Sequence, residues 1–143
     1  NLRTPALLPD AYCPDVHERL TLYKRLANGD TAEEIDALQE ELIDRFGELP
    51  LQGQSLLATH RLRLLVKPLC VQKLDATNDQ ITLQFSPEFA KNPPIEPIRI
   101  INQNQKNRSY KLAGQDKISL LRHCPTLNDK VAAVKDMIRQ LSQ

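Results

Sequence analysis

Glu41, Asp44 and Arg45 are the residues of this chain whose type and spacing best suit a specific interaction. They lie in Glu41-Leu42-Ile43-Asp44-Arg45-Phe46-Gly47-Glu48-Leu49-Pro50. At about 100° per residue, a helix that turns Ile35, Leu38, Leu42 and Phe46 to one side leaves Asp44 on the far face with Glu33 and Glu40. Glu41 and Arg45 fall on its flank, four apart and in the favourable acid-before-base order. Read from periodicity alone, that pair is an ordinary exposed ion pair worth about 0.3–0.5 kcal/mol. The chemistry open to such a group is electrostatic docking, with no bond made or broken.

Other chemistry has weaker support. Four glycines occur, and neither Gly-x-x-x-x-Gly-Lys-Ser/Thr nor Gly-x-Gly-x-x-Gly is among them, so no phosphate cradle or cofactor site is expected. His17, His60 and His123 lack metal-ligand spacing, so no metal is expected either. Cys13, Cys70 and Cys124 are far apart, with no Cys-x-x-Cys; they fit buried thiols in a reducing compartment, the cytoplasm. His123 and Cys124 are adjacent and would point to opposite faces of a strand, which gives no nucleophile–base pair. No catalytic residue is expected. A basic group, His60, Arg61, Arg63 and Lys67, with Lys106, Arg108 and Lys111 further on, supports an alternative: a nucleic-acid-binding accessory module using the basic third helix. The formal net charge of +1 and the lack of interleaved aromatic residues favour a solvated face instead.

These residues need elements to hold them. Pro5 and Pro9 make residues 1–12 an extended lead-in. The first helix is predicted at about 14–28, with Pro14 at its first position, Asp15 in its first turn, a stripe of Val16, Leu20, Tyr23 and Ala27, and a stop at Asn28-Gly29. Thr31 and Glu34 form a capping box for a second helix, 32–46, that ends on a left-handed Gly47 before Pro50. A third, leucine-rich helix over 51–67 stops at Pro68. Alternation then predicts a hairpin of Cys70–Leu74 and Ile81–Phe85, and a second strand pair at Ser109–Leu112 and Lys117–Leu121. A short helix is predicted between the pairs near 95–104. The last helix follows a Thr126 cap and carries a stripe of Leu127, Val131, Val134, Ile138 and Leu141. The fold class is therefore α+β: three N-terminal helices, then antiparallel strands with a short helix inserted, then a C-terminal helix. The 143 residues fit a single domain, and a start without Met reads as a fragment of a larger multidomain protein. No apolar run reaches the roughly 18 residues of a membrane span.

Pro14-Asp15-Val16, Arg19-Leu20, Tyr23-Lys24-Arg25 and the block from Glu41 to Gly47 with Leu49-Pro50 resemble the C-terminal domain of bacterial transcription-repair coupling factor (Mfd, the TRCF domain). The resemblance covers nearly the whole chain and is densest before about residue 75. It implies a parent protein that is an ATP-driven DNA translocase, displaces RNA polymerase stalled at damage and recruits nucleotide-excision repair. It implies that this domain is neither the motor, which holds the ATP and the DNA, nor the polymerase-binding module. The implied role is autoinhibitory: the domain packs on a UvrB-like N-terminal module and masks the surface that binds UvrA. Matched residue by residue, the implied contacts are Glu41, Asp44 and Arg45, facing arginines of that module.

Overall fold

Leucine and isoleucine faces, with few aromatics to help them, build the core of the computed structural model, which describes residues 2–3, 5–87, 109–112 and 116–141. In chain order the elements are α1 (Val16–Asn28), α2 (Ala32–Phe46), α3 (Leu51–Val66), a 3-10 turn (Lys67–Leu69), β1 (Val71–Ala76), β2 (Gln80–Phe85), β3 (Tyr110–Leu112), β4 (Lys117–Leu121) and α4 (Leu127–Leu141). This is the α+β class expected. The chain divides into two units, Thr4–Leu64, and Asn1–Arg3 with Leu65–Gln143. The short helix predicted near 95–104 lies outside the described residues. No helix among the described residues is long and apolar enough to cross a membrane.

In the helical unit, α1 begins later than predicted. Asp15 is its N-cap, not part of its first turn, and its carboxylate accepts from the His17 and Glu18 amides at 2.9 and 3.3 Å. The buried face also differs. Leu22 and Leu26 are each 1% exposed, whereas Val16 and Leu20 of the predicted stripe are 58% and 53% exposed. The helix is turned by roughly 110° from the expected orientation. Leu22 and Leu26 fill the core, and of the predicted stripe Tyr23 packs against it half-buried. Arg19 tolerates the inward flank because its guanidinium donates to the Cys13 carbonyl at 2.7 Å.

The α2 expectations hold closely. The Glu34 amide donates to Thr31 Oγ1 at 3.2 Å, and the Glu34 carboxylate reaches back to the Asp30 amide at 2.9 Å, one residue earlier than a standard box. Ile35, Leu38 and Leu42 are buried, and Phe46 packs against the same core. Gly47 differs in detail: its φ is 90° and its ψ −166°, outside the left-handed helical region and in one that only glycine adopts readily. The Tyr12 hydroxyl lies 2.8 Å from the Gly47 carbonyl and 3.1 Å from that of Leu42, so it donates to the last turn of α2. The same lead-in segment donates from Leu7 N–H to the Gln52 carbonyl at 3.2 Å and from Leu8 N–H to the Tyr23 hydroxyl at 2.8 Å.

In the second unit, Pro68 does not end the helix abruptly but sits in the 3-10 turn that continues it, because its missing N–H costs nothing there. Cys70, predicted as a strand residue, has a φ of 60°, and this left-handed kink delays β1 to Val71. The four strands pair antiparallel in the order β1-β2-β4-β3. Ile81, Leu83 and Phe85 alternate inward beside Ile118 and Leu120. On the opposite face the Thr82 and Ser119 hydroxyls meet at 2.9 Å. Thr126 caps α4 by accepting from the Asp129 amide at 3.0 Å. The buried face of α4 is Lys130, Ala133, Val134 and Met137. Of the predicted stripe only Val134 is fully buried, Leu127, Val131 and Ile138 are half-buried, and the Leu141 side chain lies outside the described residues. Small Ala133 at the centre of that face lets α4 approach β2.

The two rotated or confirmed faces can be separated by unfolding measurements. Leu42→Ala, at a position 0% exposed, should cost about 2–5 kcal/mol in urea denaturation. Leu20→Ala should stay within about 0.5 kcal/mol of the parent chain.

Candidate interaction site on the first two helices

The helical faces described above set α1 and α2 side by side with their charged flanks opposed. On α1, Glu18 and Arg25 stand seven apart, two turns along one flank. On α2, Glu41 and Arg45 stand one turn apart. The four side chains form a chain of alternating charge. Arg45 Nη2 contacts Glu18 Oε1, Arg45 Nη1 lies 3.8 Å from Glu41 Oε2, and Arg25 Nη1 lies 2.5 Å from the same oxygen. The Arg45 guanidinium also sits over the Phe46 ring, 4.9 Å from its centroid. A groove of about 400 Å³ runs beside them, lined by Asp15, His17, Glu18, Thr21, Arg25 and Arg45.

The three residues singled out in the sequence therefore have different situations. Glu41 and Arg45 make the intrahelical pair that their spacing suggests, but it is the longest link, and each has a shorter one to α1. Asp44 is exposed, and its side chain has no hydrogen bond or ion pair among the described residues. Glu18 and Arg25 escaped the sequence reading. Their spacing of seven on one helix was a usable signal, hidden because the α1 face was misassigned. All four chain members keep between 30% and 48% of their side-chain surface exposed, so each pair contributes at the weak, salt-screened end of the range.

The TRCF domain family model matches residues 2–95. The chain belongs to the TRCF domain family. The matched residues contain α1, α2, α3 and the first hairpin, hence the whole charge chain. Among similar proteins is the transcription-repair-coupling factor of Haemophilus influenzae, 38% identical over 142 residues, covering 99% of this chain and 12% of that protein. That of Escherichia coli is 34% identical over 143 residues, again 99% of this chain and 12% of the relative. The chain thus spans about an eighth of the length of these relatives. A crystal structure of the C-terminal domain of transcription-repair coupling factor superposes with a TM-score of 0.76 at 23% identity, covering 98% of this chain and 88% of that one. The TRCF fold therefore extends beyond residue 95, through β3, β4 and α4.

Several of the other candidate groups in this TRCF domain are tied up internally. Arg61 pairs with Asp36 at 2.9 Å and donates to the Gln39 side chain. Arg63 donates to the Leu26 and Ala27 carbonyls at 3.4 and 3.5 Å, satisfying the open end of α1. Lys67 is exposed on the 3-10 turn and Lys111 on β3, while Lys106 and Arg108 lie outside the described residues. Among the described residues no three His, Cys, Asp or Glu side chains gather to hold a metal ion. Cys124 is buried, donates to the Thr77 carbonyl at 3.2 Å, and has its thiol pKa pushed up by burial. His123 points outward to Asp79, 3.3 Å away. On the outer sheet face a groove of about 560 Å³ is lined by Arg3, Lys73, Asp75, Thr82, Gln84 and Lys117. There two hydrogen bonds of 2.9 Å from Arg3 hold Asp75 below the usual carboxylate range.

His60 is half-buried on α3, and its Nδ1 has no hydrogen-bond partner among the described residues. Burial, and then the charge of Arg63, lower its pKa from the ordinary 6.5. The folded chain keeps this imidazole neutral, and the unfolded chain binds the extra proton. The associated stability is present above about pH 6.5 and is lost as pH falls from there towards the folded value. Nuclear magnetic resonance titration should find His60 protonating below 6.5, and His60→Gln should flatten the loss of stability as pH falls through and below 6.5.

Proposed function

We propose that this chain is the autoinhibitory docking domain of a transcription-repair coupling factor. In this reading the parent protein is a cytoplasmic, ATP-driven DNA translocase that displaces stalled RNA polymerase and recruits nucleotide-excision repair. ATP and DNA are handled by its motor, and the present domain contributes no catalysis and holds no cofactor. The domain packs on the UvrB-like N-terminal module and masks the surface that binds UvrA. Glu41, Asp44 and Arg45 form the contact, facing arginines of the module.

The observation that carries this reading is Asp44. It is an exposed carboxylate without a partner among the described residues, next in sequence to Arg45 of a chain of otherwise matched charges. An unpaired charge next to a neutralised group is suited to a cationic partner surface and contributes little to the fold itself. Membership of the TRCF family supplies the biological setting. The nucleic-acid alternative on α3 has less support, because Arg61 and Arg63 spend their donors on Asp36, Gln39 and the end of α1.

Charge contacts make a suitable latch. Truncating one partner of a buried interfacial charge pair costs about 2–5 kcal/mol, and a repressed state held by a few kcal/mol can be opened when the motor rearranges. Glu41→Ala with Asp44→Ala in the full-length parent should expose the masked surface and raise UvrA affinity at least about tenfold, measured by biolayer interferometry. A double variant that binds UvrA no better than the unmodified parent would sink the masking role.

A further inference from the structure

We propose that Arg25 is a built-in competitor for the docking partner, so that docking proceeds by exchange of one guanidinium for another at the Glu41 carboxylate. This rests on the docking reading above and adds to it a residue and a mechanism. The two arginines on Glu41 are not equivalent. Arg45 is held from three sides: by Glu18, by Glu41 and by the Phe46 ring beneath it. Arg25 makes its short 2.5 Å contact to Glu41 Oε2, and its side chain has no other hydrogen bond or ion pair among the described residues. It is also the most exposed member of the chain, at 48%.

An arginine arriving from a partner protein brings a third guanidinium to one carboxylate. Like charges repel, and the cation with least to hold it leaves. Arg25 can swing into water from the exposed flank of α1, whereas Arg45 stays anchored between Glu18 and Phe46. Asp44, with no cation to displace among the described residues, receives a partner charge directly. When the partner departs, Glu41 falls back on Arg25 and is never left bare. The exchange weakens docking compared with a free carboxylate and makes the latch reversible. It also gives Arg25 a sign opposite to that of its neighbours: loss of Glu41 or Asp44 weakens docking, and loss of Arg25 strengthens it.

The test is a calorimetric titration of the 143-residue chain with the separately produced UvrB-like module at fixed, low salt. Arg25→Gln should bind about two- to five-fold more tightly than the unmodified chain, the range of one exposed ion pair. Arg25→Lys, which restores the charge, should return towards the original affinity. Arg25→Gln combined with Glu41→Gln should bind like Glu41→Gln alone, because the competitor matters only while its carboxylate is present. If Glu41→Gln and Asp44→Lys abolish binding while Arg25→Gln leaves it unchanged or weakens it, the exchange is wrong and the docking site stands. If the unmodified chain does not bind, or Glu41→Gln and Asp44→Lys bind as it does, both the docking site and the exchange fall.

Discussion

The packing of one leucine face on α1 against one isoleucine–leucine face on α2 decides the rest of the helical unit. Leu22 and Leu26 meet the core formed by Ile35, Leu38 and Leu42, and all five are nearly excluded from water. Apolar burial of this kind is non-directional, so it sets which sides of the helices meet without dictating any polar contact. The polar contacts follow as a consequence. Once those faces meet, Glu18 and Arg25 have no choice but to lie along Glu41 and Arg45. A rotation of α1 by a single residue, about 100°, would take Leu22 and Leu26 out of the core and carry both charges off the shared flank.

That dependence explains what could be read from the sequence. Helix α2 was legible almost to the residue, because cap, periodicity and stop agreed: Thr31, the Ile35–Leu42 stripe and Gly47 point to one answer. The antiparallel strands were legible from their alternation, and their order was not, since pairing of β2 with β4 is a long-range choice. Helix α1 was located but turned wrongly. Its sequence offers two apolar stripes, and counting periodic matches favours the four of Val16, Leu20, Tyr23 and Ala27 over the two leucines that the core takes. The same error recurs on α4, where Lys130 is buried among apolar neighbours and thus breaks the pattern that defines the face.

The candidate site inherited this mixture. Asp44 was legible as exposed because α2 was. The pairing of Glu41 with Arg25, and of Arg45 with Glu18, depended on the orientation of α1 and so stayed hidden. Electrostatics on this surface are mostly balanced within the chain itself, on α3 as well, where Arg63 closes the carbonyl end of α1. A near-neutral, internally paired surface engages a partner by trading contacts more than by adding them, and its affinity is set by the difference between the two sets.

The lead-in before α1 has no regular structure, yet it is stitched to all three helices: Leu7 to α3, Leu8 to α1 and Tyr12 to α2. In mechanical terms it is a load path. A pull on the chain ahead of Leu7 meets three anchor points one after another. The last of them is the Tyr12 hydroxyl on the carbonyls of Leu42 and Gly47, which flank Asp44 and Arg45 in sequence. Tension on that tether and the geometry of the charged turn are thus parts of one linkage, and it runs through the hydrophobic core itself, where Leu8 and Cys13 are buried and Tyr12 packs against them.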